Sequence, residues 1–206
     1  MLSAECWGMS DSMHTGRFPE LPPRLPRRGN ALSKALARGL LALFGWRVDG
    51  EFPDRPKIVA IVAPHTSNWD FIVGILVVFA LGLRVRFLAK HTLFNPWLGW
   101  LMRWFGGMPV IRDTPQGAVA DAAELIAREE RILLAITPAG TRRRGTSWRS
   151  GFYNIALAAK VPIVPAAFDY GRRSLRLFPV FEPTGNYEAD LACLQALYQG
   201  VRGRND

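Results

Sequence analysis

Lys57-Ile58-Val59-Ala60-Ile61-Val62-Ala63-Pro64-His65-Thr66-Ser67-Asn68-Trp69-Asp70 is the stretch on which the reading of this chain turns. Residues 57–63 form a β-branched apolar run between Pro56 and Pro64, which predicts a buried strand. The chain then turns at Pro64, and Ser67 or Asn68 stands where it caps a helix carrying Asp70 in its first turn. A histidine at a strand end, with a carboxylate one helical turn on, is a candidate general base with its orienter. Asp70 would hold one ring nitrogen protonated and leave the other free to take a proton from a hydroxyl. The same residues also suit a strand-end histidine that caps a turn, and the spacing alone leaves both readings open.

Outward from this turn, short apolar strands alternate with helices. Phe71 to Leu83 is an apolar run of 13 residues, short of the roughly 20 needed to cross a bilayer, and reads as a buried helix. Val85 to Ala89 reads as a strand. Asn95, with Pro96 behind it, suits the start of a helix on which Trp97, Trp100, Leu101 and Trp104 share a face. That aromatic stripe fits either core packing or a membrane interface. Gly106 to Arg112 reads as a short extended segment, and Gln116 to Glu130 as a helix with Ala118, Ala122, Leu125 and Ile126 inward. Arg131 to Ile136 and Val161 to Phe168 are further strands, with a helix over Ser150 to Ala159 between them. Asp190 to Asp206 reads as a short helix and a frayed basic tail. The pattern predicts an α/β fold, a single domain with a central, mostly parallel sheet flanked by helices. Ligands of such sheets collect beyond the carboxyl ends of the strands, where His65, Arg112 and Arg142 all fall.

The chain has 206 residues, a net charge of +9 and 49% hydrophobic residues. This composition suits one folded domain with a basic face rather than a disordered basic tail. Such a face can meet nucleic acid, an anionic membrane or a phosphorylated substrate, and no nucleic-acid recognition motif accompanies the arginines. Residues 1–29, with Pro19, Pro22, Pro23, Pro26 and Arg24, Arg27, Arg28, read as a flexible Pro/Arg-rich lead-in to a domain over 30–206. Ala31 to Trp46 reads as an amphipathic helix with Leu32, Leu36, Leu40, Leu43 and Phe44 on its apolar stripe. That helix suits a bilayer interface or ordinary packing on the core. Cys6 and Cys193 make no zinc spacing or disulfide framework, so reduced thiols are expected. His14, His65 and His91 share no ligand spacing, and no metal is expected.

Four segments occur in order: HTSNWD at 65–70, GGMPVIR at 106–112, PAGTR at 138–142 and VPIVP at 161–165. Together they resemble the motifs of the glycerolipid acyltransferase family, which contains the 1-acyl-glycerol-3-phosphate acyltransferases. The resemblance covers about residues 30 to 185. It implies that His65 is the general base on an acceptor hydroxyl and that Asp70 orients it. It implies that Arg112, Gly140, Thr141 and Arg142 bind the acceptor phosphate, and that Val161, Pro162 and Pro165 serve acyl-donor binding or packing. The implied acceptor is a lysophospholipid, and the implied donor an acyl thioester of coenzyme A or acyl carrier protein. The implied setting is the cytoplasmic face of a membrane, with peripheral or monotopic attachment and no bound cofactor. An activated thioester needs a base, alignment and oxyanion stabilisation rather than a protein nucleophile, and the chain has no G-x-S-x-G elbow.

The third motif departs from the family pattern. Ala139 stands where the family has glutamate, and its methyl group neither accepts a hydrogen bond nor pairs with an arginine. This leaves two expectations: an active enzyme of altered pocket, or a catalytically impaired lipid-binding member of the same fold.

Overall fold

The apolar run after Pro56 is the second strand of a seven-stranded sheet, seen in a computed structural model that describes residues 16–110, 115–139 and 147–205. The strands are β1 (Arg47–Asp49), β2 (Lys57–Val62), β3 (Val85–Lys90), β4 (Gly107–Val110), β5 (Ile132–Ile136), β6 (Ile163–Asp169) and β7 (Ser174–Leu177). Their spatial order is β1-β7-β6-β2-β5-β3-β4. Strands β6, β2, β5, β3 and β4 run parallel, whereas β7 is antiparallel to β6 and parallel to β1. The sheet is mostly parallel, as the alternation of strands and helices predicts.

Both faces are covered, which is why the central strands read as nearly continuous apolar runs. Along β2, Ile58 and Ala60 pack into one core and Val59 and Ile61 into the other, following the two-residue period of a strand. The first core lies under helices α1 (Ala31–Leu43) and α2 (Trp69–Leu81). The second lies under α4 (Pro115–Arg128), α5 (Gly151–Ala159) and α6 (Tyr187–Ala196). A shorter helix, α3 (Gly99–Trp104), precedes β4.

Local chemistry sets the element ends. Asn30 accepts from Ser33 N–H at 2.9 Å while Ser33 Oγ accepts from Asn30 N–H at 3.1 Å, a reciprocal cap that starts α1. Gly82 ends α2 in the left-handed conformation at φ 71°. Gly106 enters β4 at φ 99°, and a side chain there would overlap the Val85 carbonyl. Ahead of α3, Asn95 Oδ1 accepts from Leu98 N–H at 2.8 Å and Trp97 N–H at 3.2 Å. It therefore caps a turn, and the helix expected to start there begins only at Gly99.

Three expectations need correction. The described part of the lead-in is laid down on the domain: Leu25 is fully buried, Arg28 N–H donates to Gly82 O at 2.9 Å, and Arg84 N–H donates to Pro26 O at 2.9 Å. Prolines and arginines there suggest a solvated linker, but Leu25 joins the first core and Pro26 beside it is buried. The basic segment 201–205, expected to fray, is also packed, with Gly203 buried. Cys193 is disulfide-bonded rather than a free thiol. Strands β1 and β7 are too short to show a period, and the sequence pattern does not reveal them.

Helix α1 forms within the expected 31–46 range but ends at Leu43, and of the two settings left open for its leucine stripe, packing on the core is not the one the structure shows. Ala37 and Leu41 face the core, while Leu32 and Leu43 are each 77% exposed and Leu36 is 64% exposed. Trp46, read as the last residue of this helix, lies beyond its end and is buried edge-on against Phe168 and Tyr170. The tryptophans around α3 also face outward, Trp97 being 89% exposed. Among the described residues, no helix is long and apolar enough to cross a membrane.

Candidate active site

His65 and Asp70 meet because the carboxylate builds the turn between them. Beyond β2, Ala63 N–H still donates to Ala166 O at 3.1 Å, and Pro64, with no N–H to give, ends the pairing. Asp70 Oδ2 then accepts from the N–H groups of Thr66 at 2.8 Å and Ser67 at 2.9 Å. Ser67 Oγ accepts from Trp69 N–H at 3.2 Å, whereas Asn68 makes no capping bond, so Ser67 is the cap of the two candidates.

His65 Nδ1 lies 3.2 Å from Asp70 Oδ2, with side-chain exposures of 21% and 1%. The two atoms touch, but the N–H direction misses the oxygen and Nδ1 has no well-aligned acceptor. Such bonds commonly tighten only when substrate is bound. With Nδ1 turned to the carboxylate, Nε2 is the nitrogen left to take a proton. Tyr170, the first residue after β6, donates its hydroxyl to Asp70 Oδ1 at 2.7 Å. Burial works against the charged carboxylate, but the imidazole, the Tyr170 hydroxyl and the Ser67 N–H outweigh it and hold the Asp70 pKa below its ordinary value. Burial, and then the Asp70 charge, push the Tyr170 phenol far up, with Arg204 opposing, so the phenol stays a donor.

Strand β5 lies beside β2 in parallel, so the turn after Ile136 shares an edge with His65. There, a pocket of about 170 Å³ opens between α4 and α5, walled by Leu88, Ala89, Val110, Ile136, Phe152 and Ile155, with Arg149 as the cation among its described lining residues. Thr137 and Pro138 complete that wall, and half-buried Ala139 follows directly. The carboxyl ends of β2 and β6 thus bring together His65, Asp70 and Tyr170, while Ala139 follows the end of β5, the strand beside β2. Arg112, Gly140, Thr141 and Arg142 lie outside the described residues.

Val161 and Pro162 are not brought to this edge. They precede β6 at its amino end, buried in the second core, with Pro162 O accepting from Val59 N–H at 3.0 Å. Pro165 is buried within β6 opposite Ile61, so these three residues pack the sheet near its middle and far end.

Sequence reasoning misses Tyr170, Arg204 and Asn205. Asn205 Nδ2 donates to Thr66 O at 2.8 Å, and the Arg204 guanidinium stands 4.7 Å from the Trp69 ring. For Tyr170 a signal existed: it ends an apolar strand of the same sheet, so it falls at the same edge as His65. No sequence pattern points to Arg204 or Asn205.

Known proteins share this arrangement of strands. The 1-acyl-sn-glycerophosphate (LPA) acyltransferase PlsC of Thermotoga maritima superposes with a TM-score of 0.54 at 20% identity, covering 82% of this chain and 77% of that one. At that identity the likeness concerns the fold. The 1-acyl-sn-glycerol-3-phosphate acyltransferase of Streptococcus pneumoniae is 28% identical over 151 residues, 68% of this chain and 55% of the relative. That of Escherichia coli is also 28% identical over 151 residues, 69% of this chain and 60% of the relative. The chain therefore spans little more than half the length of these curated relatives. The profile of the family described as Acyltransferase matches residues 47–169, from β1 through the end of β6 with the His65–Asp70 turn inside it, and the chain belongs to that family.

Proposed function

We propose that this chain is an acyltransferase that moves a fatty acyl group from an acyl thioester to the hydroxyl of a lysophospholipid, with 1-acyl-glycerol-3-phosphate as the acceptor and His65 as the base. The observation that carries this reading is the His65–Asp70 contact at the carboxyl edge of a parallel sheet. The relatives, named for this acceptor, support it. In the reaction, the acceptor oxygen forms the new ester bond at the thioester carbonyl while His65 Nε2 takes its proton. The tetrahedral intermediate then collapses by C–S cleavage, and the imidazolium returns the proton to the leaving thiolate. Asp70, buried and ionised, offsets the imidazolium charge between these steps. The walls beside Arg149 are apolar and suit part of an acyl chain, with the thioester carried by coenzyme A or acyl carrier protein. Arg112 and Arg142 are proposed to hold the acceptor phosphate through forked guanidinium contacts.

The same reading includes attachment to the cytoplasmic face of a membrane without a spanning helix. The exposed leucines of α1 and the tryptophans around α3 support it, as does the net charge of +9, which favours anionic headgroups. Arg28 ties the two regions together: it donates to Trp104 O at 2.8 Å and lies 4.7 Å over the Trp104 ring.

The test is acyl transfer from oleoyl-coenzyme A or oleoyl-acyl carrier protein to lysophosphatidic acid, run beside His65→Ala. Transfer that survives His65→Ala would overturn the mechanism. Ala139 favours a second reading, an impaired lipid-binding member of the fold, because alanine in the turn after β5 leaves no carboxylate to position an arginine. Ala139→Glu separates the two: activity that appears only in that variant assigns the original chain to the impaired class.

A further inference from the structure

We propose that Tyr170, gripped by the 202–205 segment, is a positioning residue for the His65–Asp70 pair; this rests on the reading of that pair as the base. The carboxylate divides its two oxygens between two tasks. Oδ2 accepts the Thr66 and Ser67 N–H groups and faces the imidazole, whereas Oδ1 accepts the Tyr170 hydroxyl at 2.7 Å. Donors on both oxygens stop the carboxylate from rotating, so Oδ2 stays aimed at Nδ1.

The phenol is itself held. Its ring meets Trp46 edge-on at 5.0 Å, and Tyr170 N–H donates to Arg202 O at 2.9 Å. Two residues on, Arg204 lies 6.0 Å over the Tyr170 ring and 4.7 Å over Trp69. Asn205 then holds Thr66 through its carbonyl at 2.8 Å and its hydroxyl at 3.4 Å. One short segment thus grips both the residue that donates to Oδ1 and the turn that donates to Oδ2. Bonds spanning 100 and 139 residues converge on a turn of six.

A phenol that merely satisfied a buried carboxylate would leave kcat unchanged. A positioning phenol also changes how the pair holds its proton. Donation to Oδ1 favours the ionised carboxylate; without it, Asp70 attracts the imidazolium more strongly and the pair keeps its proton to higher pH. Among the described residues, the titratable group that meets the Asp70 carboxylate from a packed element is Tyr170 after β6, and Arg204 of the 201–205 segment faces the Tyr170 ring in turn.

The experiment is Tyr170→Phe in the full chain, measured three ways. Steady-state transfer to lysophosphatidic acid should show kcat down about tenfold to hundredfold with KM within about twofold, the signature of misaligned groups. The acid limb of kcat/KM should move up by about 0.5 to 1 pH unit. The His65 imidazole, followed by nitrogen-15 NMR and assigned by its loss in His65→Ala, should titrate at correspondingly higher pH. Unchanged kcat, pH profile and imidazole titration, with only the melting temperature lowered, would overturn the proposal and leave the acyltransferase reading standing. A shifted imidazole titration in a chain that acylates no acceptor would uphold the positioning and sink that reading instead. If Tyr170→Phe does not fold, Asn205→Ala replaces it: lower kcat at unchanged KM upholds the proposal, and unaltered kinetics overturn it.

Discussion

Asp70 is 1% exposed on its side chain at the carboxyl end of β2, while Leu32 and Leu43 on the outer face of α1 are each 77% exposed. Both break the rule that charge lies outside and apolar surface inside, yet they differ in what compensates them. Asp70 has donors on both oxygens, all supplied by the chain. The leucines of α1 have no such cover within the described residues. A buried charge compensated internally is a device of the fold, and an apolar face left outside calls for an external partner. The polar turn is where the proposed chemistry falls, and the α1 face is where the proposed membrane contact falls.

The sharpest way to break this contrast is His65→Ala. Transfer should fall by about 10² to 10⁴-fold, the usual worth of a general base, while circular dichroism and the melting temperature stay close to those of the unaltered chain. A comparable loss of fold would make His65 a structural residue.

The double variant Leu36→Glu/Leu43→Glu probes the other region. Stability should change by no more than about 0.5 kcal/mol per site, as for surface positions. Binding to anionic vesicles in a flotation assay should weaken about tenfold or more per leucine, since burying each side chain is worth roughly 1.5–3 kcal/mol. Unfolding, without any change in vesicle binding, would show that α1 turns its leucines into the protein.

Asp70→Ala should lower stability by about 1–3 kcal/mol in urea titrations, because the Thr66 and Ser67 N–H groups and the Tyr170 hydroxyl all lose their acceptor. The smallest effect is in pH. The folded pKa of Asp70 lies below its unfolded value, so its contribution is present above the unfolded value of about 3.9 and is lost as pH falls through the lower folded one. Melting curves over that acid range should show the difference between the parent chain and Asp70→Ala narrowing as pH falls.

The candidate site was half legible. His65 and Asp70 are neighbours in sequence, so a strand, a turn and a helix start were enough to join them. Tyr170 and Asn205 reach the site across 100 and 139 residues, and only the register of β6 against β2 and the path of the 201–205 segment bring them there. Val161 and Pro162 show the converse: they fall in a segment that resembles a family motif, but lie at the amino end of β6.

By itself, the sequence determined the alternation of strands and helices, the mostly parallel sheet and the position of the His65–Asp70 pair. These follow from local periods, from prolines that stop strands, and from the short path between His65 and Asp70. The tertiary structure alone decided which side of α1 faces water. Periodicity states which residues share a face of a helix, but not which face the neighbouring helix will cover. With Ala37 and Leu41 taken up by the core, the leucine stripe was left outside. The same is true of the carboxylate: its place in the chain is local, whereas the donor on its second oxygen comes from a strand that only folding sets beside it.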